Sequence, residues 1–192
     1  MKAESSTITP PLSFRKALAE EADFIAGLIN SAYRGDSSRV GWTTEADLLG
    51  GQRTDEDEVR GLIEAEGSMF LLCLQGEEII GSVNLQKKGN SAYLGMFVVR
   101  PDLQGIGIGK HYIQAAESIS RTEWGIRKMT LSVITFREEL VAFYERRGYR
   151  RTGQIMPFPT DPAAGIHLVE GLQFEMMEKD LGVPPHFERP LV

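Results

Sequence analysis

A chain of 192 residues, 42% hydrophobic and 25% charged, is long enough to bury one substantial core and offers no case for a second independent domain. Its formal net charge of −6 argues against generic binding to nucleic acid or to an anionic membrane, and no apolar run approaches the length of a bilayer span. The single cysteine, Cys73, excludes an intrachain disulfide and a cysteine-based metal site, and His111, His167 and His186 stand apart without ligand spacing, so no metal is assigned.

Met1 to Pro11 is polar and carries no hydrophobic signal core, which predicts a cytoplasmic protein with a short N-terminal tail over 1–12, one domain over 13–182 and a C-terminal tail over 183–192. Phe14 to Leu18 reads as an edge strand. Glu21 to Tyr33 reads as a helix with Phe24, Ile25, Leu28, Ile29 and Tyr33 on one side. The connection from Arg34 to Thr54 is long and holds Gly35, Gly41, Gly50 and Gly51, so it is either mobile or functional. Asp55 to Glu66 predicts a short acidic helix with Val59, Leu62 and Ile63 inward.

Met69 to Leu74, Ile79 to Leu85 and Ala92 to Val99 form an antiparallel meander, with turns at Gln75-Gly76-Glu77-Glu78 and Lys87-Lys88-Gly89-Asn90. Ile108, Tyr112, Ala115, Ala116 and Ile119 then recur at helical spacing. A strand at Lys128 to Thr135, a helix at Arg137 to Arg147, a turn at Gly148, a strand from Tyr149 and a last strand at Leu172 to Lys179 complete an α/β order without repeats. Cys73 falls inside an apolar strand, where a buried structural thiol is expected rather than a nucleophile.

The densest signal is Gln104-Gly105-Ile106-Gly107-Ile108-Gly109-Lys110, where the meander's last strand runs into glycines that open a helix. Glycine lets the backbone approach a ligand and turn its N–H groups inward, while the helix adds the positive end of its dipole, so the layout suits a pyrophosphate. A Walker A loop fails because Gln104 and His111 occupy the glycine and hydroxyl places, and a dinucleotide fingerprint fails because Lys110 and Tyr112 stand where glycine is needed.

What remains resembles the Q/R-x-x-G-x-G/A signature of GNAT-type N-acetyltransferases. A second element, Leu140 to Tyr149, is similar to the Phe/Leu-Tyr-x-x-x-Gly-Phe/Tyr stretch that follows in that family. In element order the resemblance extends from about Phe14 to Leu181, with sharp agreement at 96–110 and 140–149. It implies a mixed, mostly antiparallel central sheet with helices on both faces, in which the motif strand and the strand after the motif helix run parallel and splay around the pantetheine arm. The cofactor it implies is acetyl-CoA, as acetyl donor to a small-molecule or peptide amine by direct attack. The alternative is a CoA-binding module without transfer.

By that resemblance, Gln104, Gly105, Ile106, Gly107, Ile108, Gly109 and Lys110 form the cofactor loop, and the backbone of Phe97, Val98 and Val99 supplies donors to the pantetheine and the oxyanion. Tyr144 would sit near the thioester sulfur and protonate the departing thiolate; on the residues alone it reads equally as core beside Phe143. Arg137 stands where many members carry an Asn on the CoA arm, and it either reaches a carbonyl or phosphate oxygen or merely begins a helix near Glu138. Of the basic residues crowding the second half (Arg121, Arg127, Lys128, Arg137, Arg146, Arg147, Arg150 and Arg151), one or two arginines are expected at CoA phosphates and most of the others on solvated faces.

The acceptor side is placed in the long connection. Glu45 reads either as the general base or, behind Thr43 and Thr44, as part of a capping box. Arg39, Trp42 and Arg53 are candidates for substrate contact by stacking or by gripping a carboxylate, with Trp42 equally able to anchor the loop. A homodimer stays open.

Overall fold

The computed structural model describes residues 11–161 and 164–182. The expected tails, apart from Pro11 and Leu12, and His186 lie outside the described residues. The elements in chain order are β1 (Leu12–Lys16), α1 (Ala22–Tyr33), α2 (Gly35–Ser38), β2 (Leu49–Gly50), α3 (Glu56–Glu64), β3 (Ser68–Gln75), β4 (Glu78–Lys88), β5 (Ser91–Val99), α4 (Ile108–Trp124), β6 (Lys128–Ile134), α5 (Glu138–Glu145), β7 (Arg150–Pro157), β8 (Ile166–His167) and β9 (Gln173–Asp180).

Seven strands form one sheet in the order β1-β3-β4-β5-β6-β9-β7, antiparallel throughout except for β5 and β6. Strand β3 shows how the two layers of helices arise. Met69, Leu71 and Cys73 belong to the cluster that contains Tyr112, Ile113 and Ala116 of α4, whereas Phe70 and Leu72 belong to the one that contains Ile25, Leu28 and Ile29 of α1. Successive strand residues face opposite sides, so a continuous apolar run must be covered on both. Each buried aliphatic or aromatic side chain contributes on the order of 1.5–3 kcal/mol, and the two clusters together hold the helices on.

Local signals set the helix limits. The Asp55 side chain accepts from the Glu58 N–H at 2.8 Å to start α3, and Gly125, at φ +63°, ends α4. Two expectations shift. The edge strand lies at Leu12–Lys16, where it pairs with Gln75 to Leu71, and the long connection contains α2 and a two-residue strand, β2, that pairs with β8 more than a hundred positions away. Such short pieces carry no periodicity of their own; a small cluster of Leu49, Ile134, Phe158 and Leu172 holds them.

Strands β5 and β6 pair only at Ser91–Lys128, Ala92–Met129 and Tyr93–Thr130. Beyond that they part. The parting coincides with a bulge in β5, where Ser82 opposes Val98 but Asn84 opposes Gly95, and where Met96 adopts φ +47°. An extra residue on one strand turns the backbone away from its neighbour and opens the middle of the sheet.

Candidate active site

Two cavities meet in the opening between β5 and β6. One, of about 280 Å³, is lined by Trp42, Val99, Gln104, Gly105, Gly107, Gly109, Lys110, Phe143, Arg146 and Arg147 among others. The second, of about 600 Å³, includes Glu45, Arg53, Glu58, Asn84, Gln86, Tyr93, Met96, Ser132, Arg137, Phe158, Asp161 and Phe174. Tyr33, Phe97, Leu140 and Tyr144 line both and form the junction.

The glycine loop is a donor array. The backbone N–H groups from Gly105 to Gly109 make no hydrogen bond among the described residues; the first backbone donor after them, Lys110, bonds back to the Gly107 carbonyl at 3.1 Å. Gly105 and Gly107 stand at φ +86° and +96°, and Gly107 caps α4. A side chain there would be strained by the backbone angle although a Cβ would meet nothing within 4 Å. Gly105, Gly107, Gly109 and Lys110 line the cavity, while Ile106 is exposed away from it and Ile108 is buried in the core. Lys110, Arg146 and Arg147 bring three cations to its wall, with the Arg147 guanidinium 3.4 Å over the Phe143 ring. Burial lowers the pKa of Arg147. Unsatisfied N–H groups, backbone free of Cβ atoms and lining cations together fit the phosphates of a CoA ester.

Gln104 does something different from its neighbours. Its side-chain oxygen accepts from the N–H of Trp42 at 2.9 Å and of Thr43 at 3.3 Å, and its amide donates to Thr43 Oγ1 and to the Val99 carbonyl, both at 2.8 Å. Arg137 grips the same dipeptide from its other side, donating to the carbonyls of Trp42 at 2.9 Å and Thr43 at 3.2 Å and pairing with Glu139. Both side chains line a cavity and at the same time fasten the long connection to the cleft. A Cβ on Gly41 would sit 2.6 Å from the Gln104 oxygen, so the clip also requires that glycine.

The remaining candidates separate. Val98 is fully buried under α1, so only its backbone can serve the site, whereas Phe97 lines both cavities and its carbonyl accepts from the Tyr33 hydroxyl at 3.0 Å. Trp42 lines the glycine-loop cavity, with its ring 5.4 Å from Phe143, and not the larger one. Arg39 lines neither; it is bound to Asp47 and Asp36 on the outer surface. Glu45 and Arg53 do line the larger cavity, and Glu45 Oε2 is paired with the buried Arg34.

Tyr144 is buried against Phe143 and Tyr149, yet it lines both cavities, and its hydroxyl makes no hydrogen bond among the described residues. Burial raises its pKa well above that of an ordinary phenol, and the nearby Tyr33 and Tyr93 add to the rise. Tyr33 is likewise raised, by burial first and by the Glu45 charge second. Sequence reasoning passed over Tyr33 as the last inward residue of α1, and over the Tyr93–Ser132 hydroxyl contact, 2.7 Å, that bridges β5 to β6 at the edge of the gap. Nothing local marks either one.

The sequence matches the model of the acetyltransferase (GNAT) family over residues 29–149. The chain belongs to the GNAT acetyltransferase family. No curated protein matches it. Solved structures share the GNAT fold: a spermidine N-acetyltransferase chimera from Vibrio cholerae at 18% identity, TM-score 0.65, covering 88% of this chain and 95% of that one; a ribosomal-protein alanine N-acetyltransferase from Escherichia coli at 14%, TM-score 0.65, covering 94% and 99%; and a Salmonella typhimurium protein solved with its cofactor acetyl-CoA at 17%, TM-score 0.64, covering 91% and 98%. The GNAT family uses acetyl-CoA, and this chain is a GNAT N-acetyltransferase family enzyme. No helix among the described residues is long and apolar enough to cross a membrane, and no group of His, Cys, Asp or Glu among them is placed to hold a metal.

Proposed function

We propose that the protein acetylates a primary amine by direct attack, with acetyl-CoA held at the glycine loop and the amine entering through the larger cavity. The observation that carries this reading is the run of unpartnered N–H groups from Gly105 to Gly109 in a cavity that ends on Tyr144. Bound there, acetyl-CoA supplies the acetyl thioester. The loop N–H groups and Lys110, Arg146 and Arg147 hold phosphate, and the backbone of Phe97 to Val99 orients the arm in the gap. The phenol of Tyr144, free of other partners and kept protonated by burial, holds a proton at Oη for the departing sulfur. Leu140, Phe97 and Phe143 exclude water from the junction.

In this reading Glu45 is the base. Arg34 pairs with Oε2, and Glu45 lines the larger cavity through which the amine would enter. Glu45→Gln would flatten the rise of rate with pH if it takes the proton; if it only braces Arg34, the variant melts earlier with its pH profile unchanged. The reading as a whole is tested by calorimetry with acetyl-CoA and by thiol release over a panel of amines. Binding with amine-dependent thiol release supports it, and binding without release under every amine favours a CoA-binding module.

A further inference from the structure

Of four arginines in this part of the fold, Arg53 and Arg137 line the larger cavity while Arg34 and Arg39 do not, and three of the four are paired within the protein. Arg34, beneath the wall, pairs with Glu45; Arg137 holds the carbonyls of Trp42 and Thr43 and pairs with Glu139; Arg39 turns outward to Asp36 and Asp47. Arg53 lines the cavity, and its side chain makes no hydrogen bond or ion pair among the described residues. Its root is nevertheless fixed. Asn30 Oδ1 accepts from the Arg53 N–H at 2.6 Å while Asn30 Nδ2 donates to the Thr54 carbonyl at 2.8 Å. An unpartnered guanidinium on a clamped backbone, facing a cavity, is a site for an oxyanion.

The surrounding charge narrows the ligand. Three carboxylates, Glu45, Glu58 and Asp161, line the cavity with two guanidiniums, Arg53 and Arg137, so the wall offers a ligand's ammonium group acidic neighbours as well as a cation for an oxyanion. Glu58 is partly occupied as well, since its Oε2 accepts from Thr54 Oγ1 at 2.6 Å. The wall also carries apolar side chains, Leu62, Met96, Phe158 and Phe174 among them, beside the polar Asn84, Gln86 and Ser132. One available cation, carboxylates on the same wall and apolar side chains beside them match a ligand with an anionic group, an ammonium and an apolar body.

Resting on the acetyltransferase reading above, we propose that the acceptor is an amine that carries its own carboxylate, an α-amino acid with an apolar side chain, and that Arg53 binds that carboxylate. The transfer forms an N–C bond at the amino group and breaks a C–S bond. Of the two protons that the ammonium loses, one goes to sulfur and one to solvent, and the carboxylate is unchanged.

The test compares initial rates for L-phenylalanine and L-leucine with those for L-phenylalaninamide, phenethylamine and spermidine at saturating acetyl-CoA. L-phenylalanine should exceed its amide about 10-fold in kcat/KM, and Arg53→Gln should bring that ratio down about 10-fold, to near one, mostly through KM for the acid, with Arg53→Lys keeping part of it. Faster turnover of the amide or of spermidine, or an equal effect of Arg53→Gln on acid and amide, overturns the proposal while leaving the acetyltransferase reading intact. If no amine releases thiol, calorimetry of L-phenylalanine and its amide against the protein with CoA decides it. Preferential binding of the acid that Arg53→Gln abolishes supports the site, and equal or absent binding overturns it. Failure of acetyl-CoA itself to bind overturns the acetyltransferase reading instead.

Discussion

The two halves of the cleft are made of different material: the half proposed for the cofactor presents main-chain donors on a glycine loop, whereas the half proposed for the acceptor presents side chains, several of them already engaged with one another. A backbone N–H has its position set by φ and ψ, and those angles follow from glycines that can be read in the chain. Whether a guanidinium is available depends on what folds next to it. Arg34, Arg39, Arg53 and Arg137 are the same residue type within one region, yet three are paired and the Arg53 side chain has no partner among the described residues.

The largest effect expected lies where the halves meet. Tyr144→Phe should lower kcat by about 100-fold or more with acetyl-CoA affinity nearly unchanged, because the ring stays and only the proton is lost. Since burial raises its pKa, the phenol keeps its proton further into the alkaline range than a free one, and the parent rate should show no alkaline fall from this group up to about pH 10. Such a fall that Tyr144→Phe removes would show that the phenol ionises and that the junction is wetter than described.

On the cofactor half, Gly107→Val should weaken acetyl-CoA binding about 10-fold or more in calorimetry with circular dichroism unchanged. The cause is the backbone angle of +96°, which costs a side chain about 1–2 kcal/mol and more for a branched one, together with the N–H groups it would misdirect. Unchanged affinity would mean that the loop's donors are not the binding element.

Gln104→Ala tests the joint between the halves. It removes four hydrogen bonds to the 42–43 segment and Val99 and should cost about 1–2 kcal/mol in chemical denaturation while raising KM for both substrates. A change confined to acetyl-CoA would return Gln104 to the role of a ligand contact. Smallest of all, Arg39→Ala should leave melting temperature and kinetics indistinguishable from the parent, since its partners lie on the exposed surface.

The same contrast explains what the sequence made legible. The meander, the motif helix and the covering of the sheet on both faces follow from runs such as Met69 to Leu74 and from the spacing of Ile108, Tyr112 and Ala116, which are local patterns. The glycine loop was legible for the same reason. Trp42 and Arg137 were not, because Trp42 turns toward Phe143 and Arg137 toward a segment over ninety positions away, contacts that leave no periodic trace. Strands β2 and β8 share that fate, each two residues long and defined only by its partner.

The bulge in β5 has a consequence for traffic. By parting β5 from β6 it leaves a passage through the sheet whose two chambers share only Tyr33, Phe97, Leu140 and Tyr144. On the proposed reading, in which acetyl-CoA occupies the glycine-loop chamber and the amine enters by the larger one, neither reactant has to wait for the other to pass, and the order in which they come and go is set by affinity rather than by a shared entrance.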